Sequence, residues 1–324
     1  MNILFTNIGR RVALVKHFKK LYNELNVKGK IIGVDMNMTA PAIHIVDKKY
    51  RVCPISHPNY ISDLKSICQK ENINLLISLL DTDLLKLSKN RRTFENIGTQ
   101  VLISSYDDIE ICQNKIKTYE FLRKNGINVP KLFKIEEVIL GKIKDFPFIL
   151  KPAQGSASEG VFEIHNVKEL NFYHNRIDNP ILQKIIKGTE YTVDVLVDFK
   201  NNIRCIVPRK RIEVRSGEVS KGITVKDKRI IKITKRCIET LKNPIGPFTV
   251  QGFLNNDGDF EVIEINPRFG GGHPLAIKAG ADFPRWIIEM VLGKNPKIKL
   301  DGWEDGLVML RYDDAIFIKK VNIE

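Results

Sequence analysis

The sequence predicts two units in succession: an α/β unit built on a parallel sheet over residues 1–110, then an α+β unit over 111–324. Three observations predict this. Short apolar runs alternate with amphipathic helical stretches through the first hundred residues, the spacing of a parallel sheet with helices on both faces. Beyond Pro130 the texture changes to alternating strands. A chain of 324 residues is also long enough for two cores of ordinary size.

Ile3 to Phe5 reads as a strand, Gly9 as a turn, and Val12 to Leu25 as a helix with apolar Val12, Val15, Phe18 and Leu21 on one face. Ile31 to Val34 is a second strand ending in Asp35. A helix over 60–70, a strand from Leu75 to Leu80, a helix from Leu84 to Phe94 and a strand from Val101 to Ser104 complete the first unit. Asn114 to Lys124 continues as a helix, stopped by Gly126 and Pro130. Strands follow at Phe148–Leu150, Val161–Ile164, Ile181–Ile185, Tyr191–Asp198, Ile203–Val214, Phe248–Asn255 and Phe260–Ile265, with a single clear helix at 229–242. Asn255-Asn256-Asp257-Gly258 between two alternating runs reads as a hairpin turn.

The net charge is +14. Thirteen Lys or Arg against four Asp or Glu fall between residues 201 and 242, so most of the excess lies in one stretch and points to an anionic ligand nearby, unless it is a solvated surface. That stretch has no aromatic residue between Ile203 and Leu241, which removes the stacking platforms of a nucleic-acid binder. The five cysteines are widely spaced and form no C-x-x-C pattern, so reduced thiols and a cytoplasmic location are expected, with neither leader nor membrane span.

Four local patterns carry chemistry. Strand, Gly9, helix and Asp35 make a Rossmann-like start. Arg11 and Leu14 stand where a dinucleotide fingerprint needs its second and third glycines, which counts against NAD. Gly9-Arg10-Arg11 suits either a small anion or a tight turn with exposed arginines. Lys151 ends the run Phe148-Ile149-Leu150-Lys151-Pro152, and the small-residue loop Gly155-Ser156-Ala157-Ser158-Glu159-Gly160 follows; backbone N–H groups of such a loop can turn onto phosphate oxygens, though a plain hairpin tip has the same composition. In the hairpin, an even loop pairs Gln251 with Val262 and Thr249 with Glu264. Gln251, Glu264 and Asn266 then share one face as three oxygen donors suited to Mg²⁺, with Arg268 pointing the same way; an amphipathic hairpin with a polar face is the other reading.

The ordered set Asn114-Lys115, Phe148 to Pro152, Gly155 to Gly160, Gln183 to Glu190, Gln251 and Glu264-Ile265-Asn266-Pro267-Arg268 resembles the ATP-grasp superfamily, in particular ligases similar to the carbamoyl-phosphate synthase large subunit and to biotin carboxylase. The resemblance implies a pre-ATP-grasp Rossmann-like domain followed by an ATP-grasp domain whose mobile, glycine-rich lid covers about 130–185. It implies ATP and Mg²⁺ or Mn²⁺ as cofactors. Lys115, Lys151 and the loop residues Gly155, Ser156, Ala157, Ser158 and Gly160 would meet the phosphates and the adenine side. Gln183, Lys184, Ile185 and Ile186 would line the adenine edge, and Glu190 would hold the ribose. Glu264, Asn266 and Gln251 would ligate the metal, while Arg268, Arg209 and Arg211 would steady the γ-phosphate and an acyl phosphate.

The implied activity is ligation of a small-molecule carboxylate to an amine or ammonia through an acyl phosphate, with release of ADP and phosphate. Partners would be small molecules, not nucleic acid or membrane, in a protein of a kind often found as a homodimer. Gln251 and Gln183 replace carboxylates frequent in the family. Arg268-Phe269-Gly270-Gly271-Gly272-His273-Pro274 has glycines where carboxylases carry polar and acidic residues, which argues against carboxylation and leaves room or backbone donors for another substrate. Two alternatives stay open: a regulatory or nucleic-acid-associated ATP binder without turnover, and an activity like that of carbamoyl-phosphate synthase or a carboxylase.

Overall fold

The computed structural model describes residues 1–155, 159–215 and 217–319. The first unit contains β1 (Ile3–Thr6), α1 (Val12–Glu24), β2 (Ile31–Asp35), β3 (Lys48–Arg51), α2 (Tyr60–Lys70), β4 (Leu75–Ser78), α3 (Leu84–Lys89), α4 (Arg91–Glu95) and β5 (Gln100–Val101). Its strands form one parallel sheet in the order β3-β2-β1-β4-β5. Every residue of β1, β2 and β4 is buried, which is why these strands read as unbroken apolar runs. Strand β3 (Lys-Lys-Tyr-Arg) lies at the sheet edge, half exposed, and carries no apolar signal. The expected helix from Leu84 to Phe94 is two helices, broken at Asn90.

The rest comprises α5 (Tyr106–Gln113), α6 (Lys115–Lys124), β6 (Leu132–Phe133), α7 (Ile135–Ile139), β7 (Phe148–Pro152), β8 (Phe162–Ile164), α8 (Val167–His174), β9 (Pro180–Lys184), β10 (Gly188–Val197), β11 (Ile203–Arg215), β12 (Glu218–Thr224), α9 (Lys228–Glu239), β13 (Gly246–Asn255), β14 (Phe260–Asn266), α10 (His273–Lys278), α11 (Phe283–Val291) and β15 (Val308–Leu310). Helix α9 is therefore not the single helix there. Those missed are five to nine residues long, and α7 and α8 pack their buried Val138 and Leu170 against the small sheet β6-β9-β7-β8. The larger antiparallel sheet runs β14-β13-β10-β11-β12-β15. Among the described residues no helix is long and apolar enough to cross a membrane.

The hairpin register differs from the expected one. Gln251 pairs with Glu264 and Thr249 with Asn266, because a bulge between the pairs Gly252–Val262 and Gln251–Glu264 leaves Ile263 extra in β14. The bulge resets the alternation: Val262 and Ile265, three apart, both enter the core, and Glu264 and Asn266 stay on the opposite face. Convergence of Gln251 and Glu264 survives through a different register.

One apolar core joins the two units. Phe5, Val15, Phe18 and Ile77 of the parallel-sheet unit pack with Val207, Phe269, Phe283, Ile287 and Trp303 of the second. At the carboxyl ends of β1 and β4, buried Asp83 accepts hydrogen bonds from Thr6 Oγ1 and Tyr60 OH (2.8 Å each), from Asn7 and from Ser78. Burial pushes its carboxyl up, and the donors pull against that. Replacing Asp83 with Ala orphans these donors, so urea unfolding followed by circular dichroism is expected to show a loss of roughly 3 kcal/mol.

Candidate active site

A cleft of about 380 Å³ opens between the two antiparallel sheets and the carboxyl edge of the parallel sheet. Lys115, Lys151, Gly155, Gln183, Glu190, Gln251, Glu264, Arg209, Arg211 and Arg268 all line it, so the sequence candidates converge on one place. Lys184 is exposed at the end of β9, and Ile185 and Ile186 lie on the link to β10; these three, Gly160 and Asn266 are not in the lining. Ser156, Ala157 and Ser158 lie outside the described residues.

Lys151 comes from β7 and is 7% exposed. Burial lowers its ammonium to about 8, with Glu264 opposing and Lys115 adding to the shift. Asn114 caps α6 by accepting from the N–H groups of Ile116 and Lys117, which sets Lys115 at the helix start, where its Nζ donates to the Gly155 carbonyl (2.9 Å). Gln183 is buried on β9, and its backbone faces Ile149 across the sheet.

Glu190 and Arg211, expected at different parts of a nucleotide, are paired with each other. Arg211 also donates to Gln251 Oε1 (3.2 Å) and to the Gly217 carbonyl (2.9 Å). Gln251 thus already faces a cation, and the donor set left for a metal is Glu264 with Asn266, whose Nδ2 donates to Glu264 Oε1 (2.9 Å). No cluster of three His, Cys, Asp or Glu side chains suited to a metal exists among the described residues. One carboxylate and one amide oxygen fit a hard cation only if ligand phosphate oxygens complete the shell.

At the other end Arg209, from β11, is 1% exposed and grips Asp194 of β10 through Nε (2.6 Å) and Nη2 (3.1 Å). His273 Nδ1 stands 3.5 Å from the same carboxylate. Burial alone would raise Asp194; Arg209 and His273 outweigh it and bring the carboxyl from 3.8 to about 2. Two residues of the parallel-sheet unit reach this end. Asp81 accepts from Nε and Nη2 of Arg268 (2.9 and 2.7 Å), and Arg11 Nη1 donates to Glu218 (3.2 Å). Gly9 N–H is spent on Asp35 (2.9 Å), so that turn is a closed structural one.

The glycine run lines the cleft, but the place a Cβ would take at each of the three is filled. A Cβ at Gly270 would meet Thr249 Oγ1 at 2.9 Å, one at Gly271 would meet Arg11 and Glu218 at 2.7 Å, and one at Gly272 would run into Arg209 and Val219. The absent side chains make room for the protein's own charged groups. Much of the basic stretch is paired within the chain, largely at the surface: Arg204, Arg215, Lys221, Arg229, Lys235 and Lys242 pair with carboxylates, and of its thirteen cations only Arg209 and Arg211 line the cleft.

Residues 112–272 match the family model described as an ATP-grasp domain. The chain belongs to the ATP-grasp superfamily. Residues 3–102 match the PylC-like N-terminal domain, which precedes it. A curated relative is the carbamoyl phosphate synthase large chain of a Thermoanaerobacter species, 27% identical over 233 residues, covering 65% of this chain and 21% of that protein. The chain thus spans about a fifth of that relative's length. Among solved structures, the biotin carboxylase domain of Hydrogenobacter thermophilus 2-oxoglutarate carboxylase superposes with a TM-score of 0.73 at 16% identity, covering 94% of this chain and 73% of that one. An L-amino acid ligase from Bacillus licheniformis superposes with a TM-score of 0.68 at 20% identity, covering 90% and 74%. These likenesses establish the ATP-grasp fold.

Sequence reasoning missed Asp194 and His273 as the holders of Arg209, and Arg11 as a wall of the cleft. The readable signal was Asp194 inside the apolar run Val193–Val197, a charge where a strand is otherwise buried.

The Asp194 carboxylate gives a pH-dependent stability. Its folded value lies below the unfolded one, so its contribution is complete above the unfolded value and is lost as the pH falls through the folded one. Relative to Asp194→Asn, the native chain is expected to be stabilised by about 2 kcal/mol at neutral pH through this linkage. The difference should shrink between about pH 4 and pH 2, read from urea midpoints across that range.

Proposed function

We propose that this chain is an ATP-dependent carboxylate–amine ligase that makes an amide by way of an acyl phosphate. The observation that carries the reading is the buried Lys151 beside Glu264 in a cleft that also holds Gln183, Arg268 and Arg209, on an ATP-grasp chain. Lys151 and Lys115 would hold the ATP phosphates, Gln183 and the backbone of 184–186 the adenine, and Glu190 the ribose. Glu264 and Asn266 would hold Mg²⁺ or Mn²⁺, which when bound supplies charge neutralisation between the β- and γ-phosphates. The 130–185 region serves as the lid, and 1–110 and 111–324 as the two domains.

In the first step a substrate carboxylate oxygen bonds to the γ-phosphorus while the bond to the β-phosphate oxygen breaks, and ADP leaves with the electron pair. Arg268, fixed by Asp81, and Arg209, fixed by Asp194, stabilise the charge on the transferred oxygens without having to reorganise. In the second step an amine or ammonia nitrogen attacks the acyl carbon, phosphate departs, and the surplus amine proton passes to solvent. The closed glycine run Gly270–Gly272 offers no acid or base for bicarbonate, which disfavours carboxylation. The internal pairing of the basic stretch disfavours a nucleic-acid role. The protein would act on small molecules in the cytoplasm, as a homodimer.

Two outcomes test the reading. Lys151→Ala and Glu264→Ala should each lower ADP production by at least about 100-fold in the presence of a working carboxylate and amine, measured by coupled ADP assay. Turnover left intact in either variant sinks the assignment. Because Lys151 is charged below about 8, Mg·ATP affinity should weaken as the pH rises through that value, and calorimetry on Lys151→Met should show a flat profile over the same range.

A further inference from the structure

The far end of the cleft contains two buried charged groups, each with one atom unused by the protein. Asp81 Oδ2 takes both nitrogens of Arg268, while Asp81 Oδ1 is buried with no partner among the described residues. Arg209 spends Nε and Nη2 on Asp194, and its Nη1 is buried without a partner among them. Both residues line the same cleft, one carrying an unused acceptor and the other an unused donor. Leaving such atoms unpaired costs free energy that a ligand of matching polarity recovers.

The surrounding charges narrow what that ligand is. Glu218 is shared by Arg11 (3.2 Å) and Arg311 (3.1 Å), Arg268 has Asp81, and Arg209 has Asp194. Without Arg311, which is not in the cleft lining, three guanidinium groups stand against three carboxylates and the end is balanced. Burial and the nearby Arg268 lower the Arg11 guanidinium, while Glu218 and Asp81 raise it. A zwitterion, with no net charge, keeps this balance; a phosphate dianion upsets it and brings no donor for Asp81. Leu80 and Val219 add an apolar wall beside these groups.

We infer that the carboxylate activated at this site is that of a small α-amino acid, bound as a zwitterion. Its carboxylate meets Nη1 of Arg209, its ammonium meets Oδ1 of Asp81, and its side chain lies against Leu80 and Val219. The inference rests on the ligase reading and adds the substrate class to it. It separates this chain from ligases acting on phosphorylated sugars or nucleotides, whose substrates lack an ammonium.

The test uses the full chain with Mg·ATP and hydroxylamine as the amine, so that any acyl phosphate is trapped as a hydroxamate whatever the natural amine. Amino acids are compared with their des-amino counterparts, such as leucine with 4-methylpentanoate, and with sugar phosphates. The expected result is hydroxamate and ADP with at least one amino acid, at a kcat/KM about 10-fold or more above its des-amino counterpart. In Asp81→Asn the amide oxygen can still accept from Arg268 while its NH₂ faces the ligand, so that ratio should fall toward one. Equal or better use of the des-amino acid, turnover with sugar phosphates alone, or a ratio unchanged in Asp81→Asn overturns the inference. The wild-type ratio needs no variant to fold. Des-amino acids consumed as well as amino acids would leave the ligase reading standing while removing this one; Mg·ATP binding without ADP formation for any carboxylate removes both.

Discussion

A chain of aromatic contacts fixes the geometry on which the rest of the molecule depends. Phe5 meets Phe18 at 5.0 Å between ring centres, Phe18 meets Phe269 at 6.3 Å, and Phe269 meets His273 at 4.9 Å. His273 then meets Phe283 at 4.7 Å, and Phe283 meets Trp286 at 5.9 Å. The chain begins in the parallel sheet, passes through the site loop and ends in α11. Phe269 is fully buried between Arg268 and Gly270, so the loop's polar groups are placed by an apolar anchor in their midst. Edge-to-face rings tolerate little sliding, and close-packed interiors transmit displacement instead of absorbing it. The same core holds the strands whose carboxyl ends deliver Arg11 and Asp81, which is how residues far apart in the chain meet Glu218 and Arg268.

Electrostatics in the cleft follows from that placement. Arg209, Asp194 and His273 are each about 1% exposed, and a buried ion pair of this kind adds little stability over apolar packing of the same volume while strongly penalising loss of one member. What the pair secures is direction: two guanidinium nitrogens are committed, so the third can point only one way. Lys151 has a different balance. Its partner Glu264 only partly offsets burial, leaving an ammonium that gains from any anion brought beside it.

Much of this was legible in the sequence, and the limits were physical. Strands buried on both sides, such as β1, β2 and β4, announce themselves by apolar runs, and β10 and β13 by length and alternation. Edge strand β3 and the short helices α7, α8 and α10 do not, because tertiary contacts stabilise them more than their own pattern does. The cleft residues were found because their order along the chain is diagnostic. Asp81 with Arg268, and Arg11 with Glu218, could not be paired, since each joins segments about two hundred residues apart. The glycine run lines the cleft, but that the place of each missing side chain is taken by Thr249, Arg11, Glu218, Arg209 and Val219 could not be read from the sequence.

The extra residue in β14 has a consequence for how this hairpin tolerates change. Strand side chains alternate with a period of two, so a register defect is the one means by which Val262 and Ile265 can both be core residues while Glu264 stands opposite Gln251. Losing Ile263 would close the bulge and leave Val262 and Ile265 two apart, both still toward the core, with Glu264 still opposite Gln251. The bulge is therefore the place where this hairpin can lose one residue and keep Glu264 facing Gln251.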